Sequence, residues 1–321
     1  MDWQNFWPQV DFAAAAERLR GVVLRTELRV LPSPWPWVEV LGKLENRQRC
    51  NAFKARGAWN HLSQWDGAQK AAGVVAASSG NHGLALAWAA NELGIRCVLC
   101  MPEATYRSKV EACRALGADV RLFPTRLEAE AACDALADAG ATRVHGYDAE
   151  RTMEGAGTVG FEIADQLDSA DVVLVPVGGG GLSSGVSLAL RRAWGDRVQI
   201  YGVEPEGAAG MSLALDAGRP VPLDAITSRI QGLTSPVAGE RCRAVNDATL
   251  NGMITLADEA FEAAAQRLRL AGETVEPAGA AGYAALWQST GPVQDWIQSR
   301  GPRPARIVVV LSGGNLPDAS A

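Results

Sequence analysis

The chain carries one lysine whose surroundings suit chemistry. Lysine occurs only four times, at Lys43, Lys54, Lys70 and Lys109, so candidates for an amine nucleophile are few. Lys43 falls in an apolar run that reads as a strand, while Lys70 and Lys109 lie in polar helical contexts and read as solvated. Lys54 follows an aromatic residue and opens a helix entry, in Asn51-Ala52-Phe53-Lys54-Ala55-Arg56-Gly57-Ala58. An amine partly desolvated beside an anion site suits Schiff-base chemistry, because burial lowers its pKa towards neutrality. Taken alone, Lys54 would still read as a surface lysine.

Three other segments could work with such an amine. Gly178-Gly179-Gly180-Gly181-Leu182-Ser183-Ser184-Gly185 follows an apolar run and precedes a helical stretch. Its bare backbone amides and the helix dipole behind them suit a phosphate. It is not a Walker loop, since no Lys-Ser/Thr follows, and it lacks the dinucleotide fingerprint. Ser78-Ser79-Gly80-Asn81-His82-Gly83 packs two hydroxyls, an amide and an imidazole into one turn. Such a turn could bind a carboxylate or simply cap the following helix. Ser312-Gly313-Gly314-Asn315 places a hydroxyl and two glycines after another apolar run, either to approach a flat ligand or as an ordinary turn.

Apolar, β-branched runs alternate with alanine- and leucine-rich stretches and must position these segments. Strands are predicted at 38–44, 73–77, 97–101, 120–123, 144–145, 172–177, 200–203 and 307–311, with helices at 84–93, 106–116, 127–139 and 261–270 among them. Apolar strands alternating with helices imply an α/β architecture with a mostly parallel sheet covered on both faces. In such sheets ligands bind beyond the carboxyl ends of the strands. No linker separates two autonomous halves, and no internal repeat is visible. Pro32-Ser33-Pro34-Trp35-Pro36-Trp37 reads as a rigid loop of local packing.

Composition narrows the function classes. The 321 residues are 48% hydrophobic and 21% charged, with a net charge of −6, which suits a globular protein and argues against a nucleic-acid surface. No apolar run approaches the ~20 residues that span a bilayer. No secretory signal opens the chain, so a cytoplasmic location is expected. Six cysteines are too sparse for a disulfide scaffold. Cys97 and Cys100 read as small core residues rather than a redox or metal pair, and His61, His82 and His145 are too scattered to suggest zinc.

Together the motifs resemble the fold-type II pyridoxal-phosphate enzymes, in the serine/threonine dehydratase and serine racemase branch. The resemblance runs from 44 to 315. It includes Lys43-Leu44-Glu45, Met101-Pro102-Glu103, Gly155-Ala156-Gly157-Thr158, Gly202-Val203-Glu204-Pro205 and Val275-Glu276-Pro277-Ala278-Gly279. It implies a tryptophan synthase β-like fold of two open, mostly parallel sheets covered by helices. The cofactor, pyridoxal 5'-phosphate, would lie between a large domain (1–65 and 149–321) and a small inserted one (66–148). Lys54 would hold it as an internal aldimine with Phe53 beside the ring, and Gly178, Gly179, Gly180 and Gly181 would bind its phosphate. Asn81 would bond the phenolic oxygen and Ser312 the pyridine nitrogen, with Glu276 near the ring face. Ser78, Ser79 and His82 would line the substrate carboxylate. Lys54 would act as base on the α-proton, the cofactor phosphate as acid for the leaving group, and Ser79 as the opposite-face group that a racemase needs.

The implied reaction is dehydration and deamination of a small β-hydroxy amino acid such as L-threonine or L-serine. An amino-acid racemase and a β-replacement synthase are the rival enzymes, and a non-catalytic phosphate- or nucleotide-binding protein is the rival of another class. The implied partner is a small amino acid, with no nucleic acid and no membrane, and the implied assembly is a homodimer. Departures bear on the substrate. Cys50-Asn51-Ala52 replaces Thr-Gly-Ser, Ala156 replaces a glutamine, and Ile230-Gln231-Gly232-Leu233 lacks the usual aspartate. Ala52 and Ala156 predict room for a bulkier substrate. In Glu204-Pro205-Glu206-Gly207-Ala208-Ala209-Gly210-Met211 a glycine stands where the metal-activated members carry an acid, so no tight divalent cation is expected at Glu204, with Glu206 the alternative ligand. A chain ending at Ala321 leads us to expect no appended regulatory domain.

Overall fold

The structure, a computed structural model, describes residues 1–316. Ten strands form two sheets: β1 (Leu28–Leu31), β2 (Val38–Lys43), β3 (Val74–Ala77), β4 (Cys97–Pro102), β5 (Asp119–Phe123), β6 (Thr142–Arg143), β7 (Val172–Pro176), β8 (Gln199–Pro205), β9 (Gly252–Leu256) and β10 (Ala305–Val310). The six-stranded sheet has the order β1-β2-β10-β7-β8-β9, and the four-stranded one β5-β4-β3-β6. All pairs are parallel except β1 with β2. The architecture is therefore the expected fold-type II α/β arrangement.

The strands read apolar because both faces of each sheet are covered. Alternate residues of β7 and β10 feed separate cores. Leu174, Ile307 and Val309 pack with Phe261, Leu268 and Tyr283, while Val173, Val175, Val308 and Val310 pack with Val159, Ile163, Val186 and Leu190. Cys97 and Cys100 likewise fall into different clusters on opposite faces of β4, so their thiols do not converge. Among the described residues no helix is long and apolar enough to cross a membrane.

Two strands escape the sequence reading, and one is displaced. β1 and β9 lie at the two edges of the large sheet. Their partly exposed residues break the continuous apolar run that marks a buried strand. The strand expected at 144–145 is instead Thr142–Arg143, with the Val144 amide adding one bond to the Val75 carbonyl. His145 then turns the chain, its Nδ1 accepting from the Asp148 amide at 2.9 Å.

The helix Lys54–Leu62 is held by a buried ion cluster. Arg56 is fully buried. Its guanidinium donates to both Glu45 oxygens at 2.7 and 2.8 Å and to both Glu162 oxygens at 2.7 and 3.0 Å. Buried Lys43 donates to Glu162 at 2.6 Å and to the Thr26 carbonyl at 2.8 Å. Two cations and two carboxylates thus cancel in a dry site where each would be costly alone. Arg56→Met should leave the two carboxylates underpaired and cost about 3–5 kcal/mol of stability. Urea unfolding of the cofactor-free protein measures this, and a loss under about 1 kcal/mol would show that the cluster is not what fixes this helix.

Candidate active site

The loops after β2, β3, β6, β7 and β10 converge at the carboxyl ends of the strands, where open parallel sheets place their ligands. Lys54 begins its helix directly after Phe53, whose ring centroid lies 5.1 Å from Nζ. Nζ donates to the Gly146 carbonyl at 2.5 Å. The side chain keeps partial exposure, but its amine is enclosed by protein, and burial lowers its pKa to about 8. Lys54 is therefore not the solvated lysine that its local sequence alone would suggest.

The tetraglycine loop presents its backbone. The amides of Gly178, Gly179, Gly180 and Gly181 donate to no protein acceptor among the described residues. Gly180 sits at φ +98°, and a Cβ there would lie 2.4 Å from Met211 Cε and 2.8 Å from Cys242 Cβ, so conformation and space both demand glycine. The loop opens the helix Gly181–Trp194, whose dipole adds to the pull on an anion.

A second set of uncommitted amides, at Ser79, Gly80, Asn81 and His82, opens the helix Asn81–Glu92. Ser78 Oγ accepts from the Gly83 amide at 3.1 Å, so this hydroxyl caps the turn, and half-buried Ser79 lies beside it. His82 Nε2 pairs with the Val144 carbonyl at 3.1 Å. Burial, with Lys54 adding to it, lowers the imidazole to about 3, so the ring is neutral. Asn81 Nδ2 donates to Glu276 Oε1 at 2.7 Å. Burial pushes the Glu276 carboxyl up to about 7, against the Asn81 bond that pulls it down.

Ser312 is 6% exposed, and its hydroxyl makes no hydrogen bond among the described residues. Its carbonyl accepts from the Phe53 amide at 3.1 Å, which ties the loop after β10 to the lysine. The residues expected at the site come from the converging loops and the helix entries they lead into, except Glu276, which precedes the turn Pro277–Ala280 and meets the site through Asn81. Ala156 is not among them: it is buried with Leu41, Val159 and Leu182, where a small side chain widens no pocket. Glu204 spends its carboxylate on the amides of Met211 and Ser212 at 3.0 and 2.8 Å.

Sequence reasoning missed three contributors. The Gly146 carbonyl meets Lys54, and the Tyr147 ring covers the glycine loop, where a Cβ on Gly179 would lie 2.4 Å from it. Reading the polar segment after β6 as closely as the other loops would have found both. Lys109 reads as solvated from its polar neighbours and is partly exposed, and its Nζ donates to Oε1 of exposed Gln231 at 3.1 Å. The turn holding Gln231 also brings Leu233 against Gly178, so Lys109 stands at the site's margin. No local signal pairs residues so far apart in sequence.

Four free amides, the unpaired hydroxyl of Ser312 and an enclosed amine of lowered pKa fit a phosphorylated, aldehyde-bearing heterocycle. They would hold its phosphate, its ring nitrogen and its carbonyl carbon respectively. Glu276 makes stability depend on pH. Its folded pKa lies near 7 against an ordinary 4.5, so the native state holds this proton more tightly than the unfolded chain. That stabilisation is complete below pH 4.5 and is lost as pH rises through 7. Glu276→Gln cannot ionise, so the cofactor-free variant should gain Tm over wild type as the pH is raised from 4.5 to 8. Parallel Tm curves would contradict the assignment.

Comparison with known proteins agrees with this chemistry. Residues 23–313 match the family described as pyridoxal-phosphate dependent enzyme. An L-threonine ammonia-lyase of Thermotoga maritima is 32% identical, over 95% of this chain and 75% of its own. An L-threo-3-hydroxyaspartate ammonia-lyase of a Pseudomonas species is 34% identical, over 95% and 94%. The structure of maize serine racemase superposes with a TM-score of 0.87 at 29% identity, over 96% and 93% of the two chains. The chain belongs to the family of pyridoxal-phosphate dependent enzymes.

Proposed function

We propose that this chain is a pyridoxal-phosphate-dependent ammonia-lyase that converts a small β-hydroxy amino acid, such as L-threonine or L-serine, into a 2-oxo acid and ammonia. The observation that carries the reading is the Lys54 amine, lowered to about 8, set among loops that offer two groups of free amides. The relatives named for threonine and 3-hydroxyaspartate support it, because those substrates share the α-amino, α-carboxyl and β-hydroxyl groups.

Bound there, the cofactor would supply an electron sink for the electron pair released at the substrate's α-carbon. Gly178, Gly179, Gly180 and Gly181 would hold its phosphate, Ser312 its ring nitrogen and Asn81 its phenolic oxygen, with Phe53 and Glu276 near the ring. Ser78, Ser79 and His82 surround the substrate carboxylate, which the free amides of their turn receive. Lys54 Nζ, whose pKa of about 8 leaves a usable share of it unprotonated at physiological pH, takes the α-proton. Ser312 offers the ring nitrogen a neutral partner where a carboxylate would keep it protonated. That limits charge build-up on the ring and favours loss of the β-hydroxyl.

Ser79, half-buried beside the carboxylate turn, is the residue through which a racemase reading would act. The large domain is 1–65 with 149–321 and the small one 66–148, a division supported by the unbroken run of β3 to β6 in one sheet. A cytoplasmic homodimer is the assembly the family resemblance supports. Assaying a panel of amino acids for 2-oxo acid release, with chiral analysis of recovered substrate, tests the activity. Oxo acid from threonine or serine is expected; inversion without oxo acid would overturn the lyase reading in favour of the racemase.

A further inference from the structure

A one-way chain of side-chain amides runs through the site. Asn51 Nδ2 donates to Asn315 Oδ1 at 3.2 Å, Asn315 Nδ2 to Asn81 Oδ1 at 2.9 Å, and Asn81 Nδ2 to Glu276 Oε1 at 2.7 Å. An amide is close to symmetric in shape, so its direction must be set by a group that can play only one role. The Cys50 carbonyl is such a group. It only accepts, and Asn315 Nδ2 donates to it at 2.7 Å. With its nitrogen fixed there, Asn315 must offer N–H to Asn81 Oδ1, and Asn81 must turn Nδ2 towards Glu276.

The backbone is arranged to hold that carbonyl. Cys50 and Asn51 both lie in the left-handed region, at φ +58° and +50°, which side-chain-bearing residues adopt only at a cost. The Asn51 carbonyl accepts from the Gly314 amide at 2.8 Å, and Ala52 bridges to Gly313. A Cβ on Gly313 would lie 3.1 Å from Asn81 Nδ2 and closer still to Glu276 Oε1. The absence of a side chain there leaves room for the last bond of the chain.

We propose that Asn315 is a positioning residue that fixes which way round the Asn81 amide is held, so that Asn81 presents a donor, not an acceptor, to the cofactor ring. This rests on the proposed place of Asn81 at the phenolic oxygen. Asn315→Asp can only accept, so it turns the Asn81 amide round; Asn315→Leu leaves the amide unfixed without adding charge.

The test measures the cofactor dissociation constant and the position of the bound cofactor's visible band, beside Tm, for both variants and for Asn81→Leu. Asn315→Asp should weaken cofactor binding about tenfold, the equivalent of one lost hydrogen bond, and move the band. Asn315→Leu should act in the same direction and carries the test if the aspartate variant does not fold. Wild-type constants and band in the Asn315 variants, with Asn81→Leu impaired, would overturn the relay alone. A change in Asn315→Asp with none in Asn315→Leu would mark a charge effect and overturn it too. Wild-type values in all three would overturn the placement of Asn81 and the relay with it.

Discussion

The buried guanidinium of Arg56 is the constraint on which the site depends. It lies two positions after Lys54 and bonds Glu45, just beyond β2, and Glu162, on the helix Glu150–Gln166. The start of the lysine helix is thereby fixed to both the sheet and the layer that covers it. Removing charges from water is costly and is offset only when geometry and partner count are good. Here Thr26, Thr158 and Lys43 complete the pairing. A helix entry fixed in this way can present a lysine amine at a dry mouth without relying on the loop itself for rigidity.

Around that fixed amine, the site is built mainly from backbone. Two helix entries carry amides that donate to no protein acceptor among the described residues, one of glycines and one of the turn 78–83. Anions suit both ends, and neither loop contains an arginine. Burial keeps the His82 imidazole neutral and raises the Glu276 carboxyl to about 7, so that it is only partly ionised near neutral pH. Lys54 is thus the principal ionisable amine of the site.

Much of this was legible in the sequence, for a physical reason. Buried parallel strands are continuous apolar runs, and the segment after each strand must lie at the ligand face. So β7 announced the glycine loop, β3 the Ser-Ser-Gly-Asn-His-Gly turn and β10 the Ser312 loop. The edge strands of the large sheet, β1 and β9, were illegible because they are partly exposed and carry no continuous apolar run. The Arg56 cluster, the Lys109–Gln231 bond and the Asn315 chain join residues distant in sequence, and no spacing rule encodes them. The substitution of Asn51 for a glycine reads from sequence as a loss beside the substrate. In the structure it is a left-handed residue that adds a bond to Asn315.

The central claim is that Lys54 is the residue to which the cofactor is joined. The most direct measurement is borohydride reduction of the purified, cofactor-loaded protein, followed by proteolysis and mass mapping. The expected result is a yellow protein that loses its visible band on reduction as a pyridoxyl group becomes fixed to the peptide bearing Lys54, and a colourless Lys54→Ala variant. A label on Lys43, Lys70 or Lys109, or an unchanged spectrum in Lys54→Ala, would contradict it.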